Sequence, residues 1–248
     1  MSFSQETDLE FDHGTFDSAA FTVSALADWQ SLARILDHTL LKPDATRRQI
    51  ENHCAETLRY RFASAVVNPV WAATAVSLLA GTGIPVGVVI GFPLGASLAS
   101  TLRQEAAALL RLGARELDMV IPVGPLKSGN RQAVHNTVCA AVNVAHHRGA
   151  LLKVILETGL LSTEEKLRAA ELAIQAGADF LQTSTGFSTG GATVADVALM
   201  RGVAGSRCGV KALGGVHTLA HVHAMLDAGA NRIGCSSSVA IVRELGAE

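Results

Sequence analysis

The stretch LLKVILETGLLSTEEKLRAAELAIQAGADFLQTS, residues 151–184, carries the architecture in one repeat unit. It opens on an apolar run at 151–157, passes through a turn, and then shows helical spacing across 163–176 in Leu167, Ala170, Leu172 and Ile174. Gly177-Ala178 closes that helix, as glycine does just past a helix end, and a second short apolar run follows at 179–184. Strand, helix and strand in this order imply two parallel neighbours joined by a crossover.

The same beat runs outward in both directions. Strands are expected at 35–40, 62–67, 85–91, 115–121, 151–157, 179–184, 208–213 and 231–235. A further helix is expected at 218–228, and Gly113-Ala114 and Gly229-Ala230 repeat the closing dipeptide. Eight strands alternating with helices predict a single (β/α)8 barrel, a fold that typically needs about 250 residues; the chain has 248. An open doubly wound sheet is the competing arrangement, but no GxGxxG follows the first strand, so a dinucleotide site has no support. Residues 1–23 lack a clear period and read as an N-terminal extension, with helical spacing starting near Ser24 and a barrel domain over 24–248.

Composition narrows the function. Apolar residues make up 49% and charged residues 17%, which excludes a disordered chain. A net charge of −2 gives no cation field for nucleic acid. The segment 62–102 has no ionisable Asp, Glu, Lys, Arg or His, but prolines and glycines cut it into pieces too short for a membrane span of ~20 residues. Its uncharged surface suits an oligomer contact, and a homodimer is expected. Cys54, Cys139, Cys208 and Cys235 form no CxxC pair, and the acidic start has no signal-peptide pattern, so a cytoplasmic setting is expected. His146-His147 and His221-x-His223 lack a metal-ligand framework, and no metal or other cofactor is expected.

Both faces of a barrel strand are buried, so ionisable groups on strands need a reason. Asp37, Asp118, Lys153, Glu157 and Lys211 all fall in apolar runs. Alternation puts Lys153, Ile155 and Glu157 on one face. Any one of these alone reads as half of a buried ion pair; together, on several strands, they point to the mouth where barrel active sites form. Two buried lysines imply that one amine is neutral and nucleophilic near neutral pH, with Asp118 moving protons beside it. That is carbonyl chemistry through an imine. After the last two strands come Gly214-Gly215 and the serine run Ser236-Ser237, glycine-serine turns where barrels hold phosphate.

With these residues in view, the chain resembles the deoxyribose-phosphate aldolase family, class I aldolases on a TIM barrel. The resemblance rests on Leu36-Asp37-His38-Thr39-Leu40-Leu41-Lys42-Pro43, Val89-Ile90-Gly91-Phe92-Pro93-Leu94-Gly95, Leu117-Asp118-Met119-Val120-Ile121 and Leu126-Lys127-Ser128-Gly129. It continues through Lys153-Val154-Ile155-Leu156-Glu157-Thr158, Thr183-Ser184-Thr185-Gly186-Phe187 and Val210-Lys211-Ala212-Leu213-Gly214-Gly215, spanning about residues 31 to 240. The resemblance implies reversible cleavage of 2-deoxy-D-ribose 5-phosphate to glyceraldehyde 3-phosphate and acetaldehyde, without a cofactor. It assigns proton transfer to Asp118, the second lysine to Lys211, and active-site positions to Lys153 and Asp37. It places phosphate on Gly186, Gly214, Gly215, Ser236 and Ser237.

One position departs. Where the family carries its Schiff-base lysine, directly before Thr-Ser-Thr-Gly, this chain has Gln182. An amide nitrogen is delocalised into its carbonyl and forms no imine; glutamine fills much of the lysine's space and is expected to hydrogen-bond a substrate carbonyl. Leu213, His217 and Ser238 are lesser departures, at positions where the family has Ser, Arg and Gly. Three functions remain open: an aldolase with its covalent step lost or weakened, an enzyme using Lys211 or Lys153 as the amine or enolising without an imine, and a non-catalytic sugar-phosphate-binding protein. Each has a small phosphorylated sugar or aldehyde as its partner.

Overall fold

The computed structural model describes residues 16–248. Eight strands, β1 (Leu36–Leu40), β2 (Ser64–Val67), β3 (Val86–Ile90), β4 (Glu116–Val120), β5 (Leu151–Ile155), β6 (Phe180–Gln182), β7 (Gly209–Leu213) and β8 (Arg232–Cys235), close in sequence order into one barrel. Every neighbouring pair is parallel, including the β8–β1 pair that seals the ring, with Asp37 level with Gly234. The predicted strands all form, one to three residues shorter at their ends.

Helices α1 (Ser18–Ala25) and α2 (Trp29–Ala33) precede β1, and α3 (Arg47–Tyr60) to α11 (Ser238–Glu244) follow in alternation. Between them lie α4 (Ala72–Leu78), α5 (Ala99–Arg111), α6 (Val123–Lys127), α7 (Arg131–His147), α8 (Thr163–Gln175), α9 (Val194–Ala204) and α10 (Leu219–Asp227). The helical part of the extension starts earlier than the periodicity near Ser24 suggested. Asp17 accepts a hydrogen bond from the Ala20 amide at 2.9 Å and starts α1 by capping, a signal that apolar spacing does not carry. Most of the expected extension, 1–15, lies outside the described residues.

The main core lies between barrel and helices, where outward strand residues such as Leu117, Met119, Leu152, Val154, Val210 and Ala212 are fully buried. A second, small apolar cluster of Leu41, Val66, Val89 and Phe92 lies apart from it at the β1–β3 side. The uncharged segment 62–102 splits into β2, a turn, α4 and β3, and α4 has only 7 residues. Among the described residues no helix is long and apolar enough to cross a membrane.

Candidate active site

Alternation along the strands delivers polar side chains to the inside. On β4 Glu116 and Asp118 share a face, on β5 Lys153 and Ile155, on β6 Phe180 and Gln182, and on β7 Lys211 and Leu213. Register then sets their heights: Asp118 is level with Lys153, and Gln182 is level with both Ile155 and Lys211.

The charges meet in a closed ring. Arg232 binds Glu116 at 2.9 Å; Glu116 accepts from Lys153 at 2.5 Å; Lys153 donates to Asp118 at 2.8 Å. Lys211 donates to the other oxygen of Asp118 at 2.6 Å and lies 2.7 Å from Asp37. Arg232 Nε reaches Asp37 at 2.6 Å and completes the circuit. Three cations thus alternate with three carboxylates. Ser64 adds a hydrogen bond to Asp37 at 2.6 Å, and Lys153 stands a further 3.5 Å from Asp37. Asp37, Lys153 and Lys211 are fully buried.

Gly234 makes room for this packing. A Cβ there would stand 2.8 Å from Lys211 Cε, so only a bare backbone lets the lysine pass. Phe180 and Arg232 lie together lower in the barrel, with the guanidinium carbon 6.0 Å from the ring centre.

Electrostatics follows from the ring. Burial raises Asp37, but Arg232, Lys153 and Lys211 outweigh it and hold the carboxyl well below the usual carboxylate range. Burial likewise raises Asp118, and its two lysines bring it down. The sequence expectation that one of the two lysines is a neutral amine does not fall on Lys153. Burial favours the neutral form, but Asp118, Asp37 and Glu116 together hold it firmly as an ammonium. Asp37 and Asp118 were visible as buried charges in the sequence; their meeting with Glu116 around one nitrogen was not.

Glu157 is also displaced from its expected face. Its backbone turns to φ +57° just past β5, so alternation ends there. The carboxylate instead accepts from the Thr185 hydroxyl at 2.5 Å and the Thr185 amide at 3.3 Å, pinning the loop after β6. Gln182 turns its amide nitrogen onto the Ser184 carbonyl at 2.9 Å, leaving its side-chain oxygen buried without a donor. The open atom is therefore an acceptor, ill suited to the substrate carbonyl the sequence suggested for it.

At the C-terminal ends of β1, β6, β7 and β8 lies a cavity of about 350 Å³, lined in part by Gly186, Gly214, Gly215, Gly234, Cys235 and Ser236. Neither Gln182 nor any of the six ring residues lines it; it adjoins the ring through Gly234, where a Cβ would stand 2.8 Å from Lys211 Cε. Gly214 has φ +101° and approaches Gly191 so closely that a Cβ would stand 3.0 Å from the Gly191 Cα; glycine is required there. Of the five expected phosphate residues four line this cavity. Ser237 does not; its hydroxyl lies 3.4 Å from Nδ1 of His217, which does. Thr39, Lys42, Phe187 and His217 also line the cavity, and none was singled out from the sequence as a ligand. Nor were Glu116 and Arg232 singled out as site residues. Burial pushes the Cys235 thiol up to about 11. His146 pairs with Asp179 at 2.9 Å and His223 with Asp227 at 3.6 Å, and none of the four lines this cavity.

Comparison with known proteins adds three findings. The sequence profile of the DeoC/LacD family aldolases matches residues 31–243. Deoxyribose-phosphate aldolase from Geobacillus sp. (strain WCH70) is 54% identical over 212 residues, covering 86% of this chain and 95% of the relative; that of Lysinibacillus sphaericus (strain C3-41) is 51% identical over 216 residues, covering 87% and 96%. Among solved structures, the tetrameric deoxyribose phosphate aldolase of Aeropyrum pernix superposes with a TM-score of 0.85 at 34% identity, covering 92% of this chain and 96% of that one.

Proposed function

The chain belongs to the deoxyribose-phosphate aldolase family, and from that membership we propose that its barrel mouth takes up 2-deoxy-D-ribose 5-phosphate while Gln182 removes or strongly weakens the cleavage step. The phosphate end would rest on Gly186, Gly214, Gly215 and Ser236, with Ser237 behind them, and the reacting carbon would face the ring of Asp37, Asp118, Lys153 and Lys211. Cleavage breaks the C2–C3 bond, and its electron pair must go somewhere. An imine nitrogen accepts it readily; without one, the C1 carbonyl oxygen must carry the charge, and the barrier rises. The single observation behind this reading is the amide at position 182, level with Lys211, which pairs with Asp118.

A second reading has one observation in its favour: Lys211 packs against Gly234, a residue of the cavity wall, where a Cβ would stand 2.8 Å from Lys211 Cε. There Lys211 would supply the amine. Borohydride reduction in the presence of 2-deoxyribose 5-phosphate, followed by peptide mass spectrometry, separates the two. The first reading expects no adduct on the chain as it stands and one at position 182 in Gln182→Lys. An adduct on Lys211 or Lys153 of the unsubstituted chain transfers the function to the relocated amine. Binding without turnover even in Gln182→Lys identifies a sugar-phosphate-binding protein. The reading also takes the chain to be a cytoplasmic homodimer, in keeping with four free cysteines and with exposed Val70, Leu94 and Leu98 in the uncharged segment.

A further inference from the structure

We propose that Gln182 and Ser184 form a hydroxyl-recognition site, so that the chain holds a phosphorylated deoxysugar with an alcohol or hemiacetal carbon, not a free carbonyl, at the reacting position. This rests on the reading that the mouth binds such a sugar. Both side chains are almost wholly buried, at 1% and 2% exposure. Each nevertheless has a polar atom without a partner, Gln182 Oε1 and Ser184 Oγ. Buried polar groups are nearly always paired, and an amide oxygen left open inside a protein is costly.

The amide orientation is dictated by its surroundings. Only the NH2 end of glutamine donates, and it faces the Ser184 carbonyl; the opposite orientation would set oxygen against oxygen. The unmet need is therefore for a donor. No donor of the described residues reaches Gln182 Oε1: Lys211 turns to Asp118 and Asp37, the Thr183 hydroxyl to the Leu213 carbonyl, and the Thr185 hydroxyl to Glu157. Ser184 stands beside the cavity, since a Cβ on the lining residue Gly214 would lie 3.5 Å from Ser184 Cβ. An aldehyde oxygen can only accept hydrogen bonds, whereas a hydroxyl donates one to Gln182 Oε1 and can accept one from the Ser184 hydroxyl. In this chain the position that would attack a carbonyl has become one that matches its reduced or hydrated form.

The test compares two alditols that cannot cyclise or form imines. Calorimetric titration with 2-deoxyribitol 5-phosphate and with 1,2-dideoxyribitol 5-phosphate, which lacks only the C1 hydroxyl, isolates that group. The hydroxyl should tighten binding roughly tenfold, and the difference should vanish in Gln182→Met and shrink in Ser184→Ala, with near-ultraviolet circular dichroism verifying the fold of each. Equal affinities for the unsubstituted chain, or a difference that survives in both variants, overturns the hydroxyl site while leaving the sugar-phosphate reading in place. Failure of both alditols and of 2-deoxyribose 5-phosphate to bind overturns both.

Discussion

At the scale of single residues, the ring of six charges is the feature with the largest consequences. Buried ion pairs seldom stabilise a fold more than apolar side chains of the same volume would, yet removing one member strands its partners. Arg232 touches both Asp37 and Glu116, so Arg232→Met should cost about 3–5 kcal/mol in urea unfolding. A change within experimental error would mean that the ring is not formed as described. Asp37 adds a pH dependence. Its folded-state value lies below the unfolded one, so its stabilisation is present above the ordinary carboxylate range near pH 4 and is lost as pH falls through the depressed value. Much of the ring was legible in the sequence, because Asp37, Asp118, Lys153 and Lys211 stand out as charges in apolar runs. Glu116 and Arg232 fell inside the expected strands but were not singled out, because each lies at its strand's start beside another polar residue, Arg115 and Asn231, and not within an apolar run. For Glu116 alternation held the missing signal, since it lies two positions before Asp118.

At the scale of elements, strand β1 and helix α3 meet through a pair of stacked imidazoles. His38 and His53 lie 4.2 Å apart at 22° between planes, and His38 Nε2 is 3.0 Å from Glu56. Burial lowers His38 to about 4; burial and then His38 lower His53 to about 3. Both values lie below that of an unfolded imidazole, near 6.5, so below that pH the unfolded chain binds more protons than the folded one. Stability should therefore fall as pH drops from about 6.5 to 4, by about 1.4 kcal/mol per unit for each histidine. His53→Phe keeps a stacked ring and should remove about half of that slope in urea titrations; an unchanged slope would contradict the buried, neutral pair. Neither histidine was singled out beforehand, because an imidazole in a mixed run has no periodic signature. The strands, by contrast, were readable from apolar runs and closing glycines. Their ends were not, because backbone turns such as that at Glu157 depend on partners far along the chain.

At the scale of the whole molecule, a closed parallel barrel hides its strand edges and seals β8 against β1, so residues as distant in sequence as Asp37 and Arg232 meet inside it. What remains open to other copies is apolar side chains. Val70, Leu94 and Leu98 are exposed by 77%, 75% and 74%, and light scattering should give twice the chain mass, falling to one chain in Leu98→Lys. A monomer in both would contradict a dimer through this surface. The central claim is the proposal made for the mouth: that Gln182, in place of an amine, is what holds back cleavage. The most direct test is the rate of release of glyceraldehyde 3-phosphate from 2-deoxyribose 5-phosphate by the unsubstituted chain and by Gln182→Lys. The account predicts a rise of at least about a hundredfold on substitution. A folded, ligand-binding Gln182→Lys protein with no gain in cleavage would contradict it.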